Sequence, residues 1–546
     1  MRQSAKRHTT AVTIFWLSAL PLTLPAQTNV LTYKNTNART GANTTETVLT
    51  YQNVNSNSFG KLWFFQTDGW VDAQPLYVSN LAIPGKGTHN VLYVASENDT
   101  LYAIDANTSA VIWQVSLAPA GETASDDREC SQIFPVMGIT ATPAIYLKSP
   151  TAGGIIYVVA MTKDSSGDYH QRLHALSLAS GAERPGSPVE IQATYPGSGP
   201  NSSGGVVTFD PGSYKARPAL LLLNNVVYIT FASNCDKPPY NGWIMAYSGQ
   251  GLQQLSVLNV TPNGQSGALW GSGGGPAADS KGYLYTMVAN GTFDQRMNAQ
   301  GFPSSGDFGN GFLKLAFSNN TLSVADYFAS YNAADGPFDE DVEIGSSSPI
   351  VLPDMTDSSG NTRHLAIGCG KPGTIMVVDR DNMGKYNPAG DTGIYQELPQ
   401  ALGPGGDGNA TGSLRFPPAY FNGMVYFGAN LSPVTAYKFT NALLSTTPVS
   451  QTKQTFGYPG VGLSVSANGT SSAILWAAAA GATYGGLMAY PANNLAKQLY
   501  NSKTAPNNRD YVNYVKFAPP TIANGMVYVA TQTGVAAFGL LTADRQ

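Results

Sequence analysis

Charge is scarce in this sequence. Of 546 residues only 12% are Asp, Glu, Lys or Arg, about half the ~25% of an ordinary soluble protein, so its surface relies on Asn, Ser, Thr and Gly. The net charge of −4 comes with no basic patch, which removes the electrostatic basis for nucleic acid as a partner. Long apolar segments are missing too. The run Ala11 to Leu20 falls well short of the ~20 residues that span a bilayer, so no stable membrane insertion is expected. Cysteine is limited to Cys130, Cys235 and Cys369. With none before Cys130, the lipid attachment of bacterial lipoproteins is excluded, and without C-x-x-C-H so is a covalently attached haem. Neither G-x-S-x-G nor H-E-x-x-H occurs. Gly368-Cys369-Gly370-Lys371-Pro372-Gly373 fits G-x-G-x-x-G, but it joins two strand patterns instead of opening a helix, which argues against a dinucleotide site.

The chain opens with Arg2, Lys6 and Arg7 before its apolar run, followed by a breaker and small residues from Pro21 to Ala26. This reads as a secretory signal peptide over residues 1–26, cleaved near Ala26, giving a secreted or periplasmic protein. In that oxidising setting Cys130 and Cys235, both in long loops of neighbouring repeats, are in position to pair. Cys369, beside Leu365-Ala366-Ile367, reads as a small buried hydrophobe. Residues 27–58 are polar, without apolar periodicity, and are expected to form an extended arm lying over a single domain at 59–540, with a short tail at 541–546.

What the chain has in abundance is a repeated sentence. Pro519-Pro520-Thr521-Ile522-Ala523-Asn524-Gly525-Met526-Val527-Tyr528-Val529 is a short strand, an Asn-Gly turn and a second strand of alternating apolar residues. Pro418 to Phe427 nearly duplicates it, and Pro218 to Ile229 repeats it. Looser copies start at Pro75, Pro143, Pro276 and Pro349, and an eighth, lacking the proline, near Leu463. The anchors lie roughly 45 to 75 residues apart, the period of a propeller blade with variable loops. A small sheet with apolar residues on both faces cannot bury either alone, so the units must stack. The prediction is an all-β, eight-bladed β-propeller. Since the last repeat stops after three strands, Leu62 to Gln66 is expected to pair beside Val535 to Phe538 and close the ring.

The stretch from Val94 through Tyr102-Ala103-Ile104-Asp105 to Trp113 resembles the repeat of pyrroloquinoline-quinone (PQQ) propellers, and the resemblance covers nearly the whole mature chain. It implies a site for PQQ and calcium on the central axis. Tyr285 to Gly291 is similar to the strand that ends in the calcium-binding asparagine, here Asn290. Gly306-Asp307-Phe308-Gly309-Asn310 is similar to the loop of the catalytic aspartate, here Asp307. Gly370 to Arg380 is similar to the segment whose basic residue touches the quinone, here Lys371. All three are then expected at one rim, with Asp307→Ala leaving stability nearly unchanged.

The departures matter as much. The paired cysteines that cover the quinone would fall at Glu129-Cys130. The calcium-binding glutamate would fall near Ser166, with Asp164 and Asp168 as stand-ins. The tryptophan floor would fall within Ser272-Gly273-Gly274-Gly275, although Trp270 is close. As alternatives, Asn290-Gly291 can be a turn, Asp307 a loop cap and Lys371 a solvated hairpin tip. His170 and His174 lie in a strand pattern that sets them ~13 Å apart, too far for a shared metal. Asp335, Asp339, Glu340, Asp341 and Glu343 form an acidic loop without EF-hand spacing. Two functions follow. The favoured one is a binding or scaffold protein holding a protein or small molecule at the loop-covered face or funnel, with a degenerate site. The other is a PQQ- and calcium-dependent dehydrogenase of an alcohol or sugar.

Overall fold

In the computed structural model the described residues are 28–334, 343–480 and 486–542. The expected signal peptide lies outside them, as do Asp335, Asp339, Glu340 and Asp341 of the acidic loop.

Each proline anchor delivers the chain into a strand. Pro75 precedes Leu76–Ile83, Pro143 precedes Ala144–Ser149, Pro276 precedes Ala277–Ala278, Pro349 precedes Ile350–Val351, Pro418 precedes Ala419–Phe421 and Pro520 precedes Thr521–Ala523. Proline lacks an amide proton for a ladder, so it is tolerated at a strand's first edge and not within. The Asn-Gly turns follow: Asn422 and Gly423 have φ of 47° and 79°, and Asn524 and Gly525 have 51° and 81°. A two-residue hairpin matched to strand twist needs positive φ at both central residues, which Asn and Gly tolerate.

Eight sheets share one plan among the described residues, with four antiparallel strands adjacent in chain order. The first, for example, runs Leu76–Ile83, Gly87–Ala95, Thr100–Asp105 and Val111–Ser116. In the eighth, Thr521–Ala523, Met526–Thr531 and Gly534–Leu540 are completed by Phe59–Gln66. Phe65 pairs with Val535 and Lys61 with Phe538, with a register shift between Lys61 and Trp63. The N-terminal strand therefore joins the last sheet, as the strand count predicts.

Both faces of these sheets are apolar, and consecutive sheets share a core. Tyr157 of the second sheet packs with Trp243 of the third, Met287 of the fourth with Met376 of the fifth, and Trp476 of the seventh with Val529 of the eighth. Tyr528 of the eighth shares a cluster with Leu92 of the first. Cys130 and Cys235 form a disulfide with Cα atoms 5.8 Å apart, and Cys369 is buried and free.

The arm visits the first strands of the sheets in chain order. Val30 bridges Tyr77, and the Leu31 carbonyl accepts from the Ile145 amide at 2.8 Å. Asn37 donates to the Leu222 carbonyl and accepts from the Ala278 amide. The carbonyls of Ala38, Thr40 and Gly41 accept from Val351, Tyr420 and Val465, and Asn43 donates to Ile522. Two buried cations anchor it. Lys34 donates to the carbonyls of Pro417 and Pro418 at 2.8 and 2.7 Å. Arg39 donates to the carbonyls of Pro276, Tyr33 and Leu220 and to the Thr32 hydroxyl, all within 3.1 Å. The arm's polarity is thus the polarity of a segment that serves the inner strands of every sheet.

Candidate functional site

Beside the arm lies a cavity of about 160 Å³, walled by residues from the segments that lead into the sheets. Arg217, Trp270, Ser346, Arg415, Tyr458 and Phe517 precede the third to eighth sheets in turn. Loops outside the four-stranded sheets contribute Gln132, Glu343 and Asp407. Arm and cavity meet at Phe517. Its carbonyl accepts from the Tyr33 hydroxyl at 3.5 Å, and its ring lies 4.0 Å from the Arg217 guanidinium.

Two expected site residues belong to this cavity. Lys371, at the turn between Leu365–Gly368 and Ile375–Asp379, is 8% exposed, so it is not a solvated tip. Its ammonium stands 3.0 Å from Glu343 and 3.5 Å from Asp407. Trp270 presents its ring to Arg217 at 5.3 Å and to Lys215 at 5.6 Å.

The other two do not join them. Asn290 lines a separate, larger cavity of about 710 Å³ with Phe293, Tyr331, Pro372 and Glu397. Asp307 lines neither. Its carboxylate accepts from the backbone amides of Asn263 and Gly264, both at 3.0 Å, and ties two loops together. Burial raises its pKa, and those amides oppose the rise. Asn290 and Lys371 thus line different cavities, and that of Asn290 includes Pro372, next to Lys371.

The missing aromatic floor has a steric cause. A Cβ on Gly273 would stand 2.6 Å from the Phe517 carbonyl oxygen, and one on Gly275 would stand 2.0 Å from that of Ala219. The backbone is too close for any side chain, so the glycines are required and tryptophan is barred. The stand-ins for the calcium glutamate are likewise committed elsewhere. Asp164 accepts from the amides of Ser166 and Asp168 within its own hairpin turn. His170 and His174 share the strand Tyr169–Ser177, and each pairs with its own carboxylate, Glu190 and Glu183. Among the described residues no group of three or more His, Cys, Asp or Glu could hold a metal ion.

Sequence reasoning missed Arg217, Phe517 and a buried carboxyl pair. Glu97 accepts from the Gly138 amide and the Thr140 hydroxyl. Burial raises both Glu97 and Asp72 above the usual carboxylate range, and Lys516 and Arg217 oppose the rise at Asp72. No motif marks these residues, because only the fold brings them together.

No protein family and no curated protein matches the sequence. Solved structures do resemble the fold. The quinohemoprotein alcohol dehydrogenase of Comamonas testosteroni aligns with a TM-score of 0.60 at 15% identity, covering 94% of this chain and 81% of that one. The enzyme ADHIIG from Pseudomonas putida HK5 gives 0.59 at 15%, covering 95% and 81%. BamB from Moraxella catarrhalis gives 0.50 at 13%, covering 88% of this chain and all of that one. These likenesses define the class: an all-β chain with the fold of the PQQ-type propellers. At such identities the likeness is one of fold.

Proposed function

We propose that this is an exported, eight-bladed propeller, closed by strand Phe59–Gln66, that acts as a binding protein through the cavity beside its arm. That Asp307 ties two loops and lines neither cavity, while Asn290 and Lys371 line different ones, supports this reading. A dehydrogenase site needs one ion and one planar cofactor to touch all of them, and here Asp307 caps a loop while Asn290 faces another cavity. Size argues the same way. A cavity of about 160 Å³ is of the class that holds one benzene ring, whereas PQQ is a tricycle bearing three carboxylates. The volume of this cavity favours a ligand smaller than PQQ, and shared fold does not transfer activity. The unbroken sequence of inter-sheet cores and the final strand pairing support the ring.

The test is a dye-linked oxidation assay with ethanol and with glucose, run with added PQQ and calcium beside a thermal-shift measurement. No turnover and no shift are expected. Calcium-dependent turnover that disappears in Asn290→Ala would overturn the binding-protein reading.

A further inference from the structure

Arg217 is a cavity residue whose donors the fold leaves without an acceptor among the described residues, although the charges of Asp72 and Asp236 act on it from a distance. It is 4% exposed, yet among the described residues it has no hydrogen-bond acceptor and no ion-pair partner, and its Nε is buried without one. Its ring contacts are with Phe517 at 4.0 Å and Trp270 at 5.3 Å. Stacking on aromatic rings satisfies a guanidinium's faces and leaves its in-plane donors at the edge. Burial pushes its pKa down to about 10, so it stays charged at neutral pH. An unpaired buried cation is costly to keep. The Trp270 indole N–H, on the same cavity, is also buried without an acceptor.

The balance of charge points the same way. Glu343 and Asp407 are engaged by Lys371, and Asp236 accepts from the hydroxyls of Ser233 and Tyr240. Asp72, a further carboxylate that acts on Arg217 and Lys516, lies outside the cavity lining, with its pKa pushed up to about 6 by burial. Arg415 and Lys516, at 4.9 and 5.6 Å from the Tyr458 ring, add further positive charge to the cavity.

We infer that the cavity is a site for a small dicarboxylate anion, one carboxylate of which lies edge-on to Arg217 and accepts from its paired donors. A carboxylate matches the guanidinium fork in plane and spacing, and more than one negative charge answers Arg217, Arg415 and Lys516 together. The volume admits a compact anion of up to about ten non-hydrogen atoms, by comparison with the cavity class that takes benzene. The inference rests on reading this cavity as a ligand site.

Calorimetric titration with succinate, malonate and, as an uncharged probe, glucose tests it on the wild type, Arg217→Lys and Arg217→Met. Saturable binding of succinate or malonate is expected, at least tenfold weaker in Arg217→Lys and lost in Arg217→Met. Arg217→Met should melt at the same or a higher temperature, because it removes an unpaired buried charge. Failure of both anions to bind, with a lower melting temperature for Arg217→Met, would make Arg217 structural and end the proposal. Anion binding unchanged in Arg217→Met would end it as well. Glucose binding that ignores Arg217→Met overturns the anion assignment while keeping the ligand site, and so separates the two failures.

Discussion

Lys34 shows how much a single residue of the arm carries. Burial pushes its pKa down to about 7 from an ordinary 10.5. Between those values the unfolded chain binds a proton that the folded chain does not, so stability rises with pH across that window, by at most about 1.4 kcal/mol per pH unit. The gain is absent once pH falls below about 7. Melting curves from pH 7 to 9.5 should therefore show the wild type gaining on Lys34→Met as pH rises, and parallel curves would contradict this. Arg39→Met should cost about 3 kcal/mol or more, since it strips a donor from four buried acceptors. Asp307 behaves as a structural residue on the same grounds. Its removal frees two loop amides, so Asp307→Ala should cost about 1–2 kcal/mol in chemical denaturation, where the sequence alone suggests almost nothing.

At the scale of the element, four of the second strands carry a tyrosine whose hydroxyl reaches a neighbouring sheet. Tyr93 donates to the Leu178 carbonyl and Tyr157 to that of Gly249, both at 2.8 Å. Tyr426 donates to Ala492 at 2.9 Å, and Tyr528 of the eighth sheet to Ala106 of the first at 3.3 Å. Each bond ties a strand to a turn of the next sheet, where the carbonyl has left its own ladder. Tyr157→Phe and Tyr426→Phe should each cost about 1 kcal/mol by urea denaturation, additively because the sites are far apart. No loss in either would show that water replaces the hydroxyl at these turns. The repeat that places these tyrosines was legible in the sequence, because a proline lead-in, an Asn-Gly turn and alternating apolar residues are local signals. The partners of the hydroxyls were not, because each lies in another repeat.

For the whole molecule the same division holds. Eight anchors and the pairing of Phe59–Gln66 with Gly534–Leu540 follow from periodicity and from counting strands. The passage of residues 30–43 along every first strand does not, since its turns at Lys34, Asn35, Arg39 and Gly41, all with positive φ, carry no period. The site divides too. Trp270 and Lys371 were legible through resemblance, while Arg217 and Phe517 come from lead-in segments five sheets apart. Resemblance also set Asn290 and Asp307 beside Lys371, and the structure ties Asp307 to two loop amides. The central claim is that this fold holds its cavity for something other than a quinone. The most direct measurement is gel filtration of the protein after incubation with PQQ and calcium, with quinone absorbance followed across the protein peak. The account predicts a protein peak without quinone; stoichiometric co-elution that needs calcium and is lost in Asn290→Ala would contradict it.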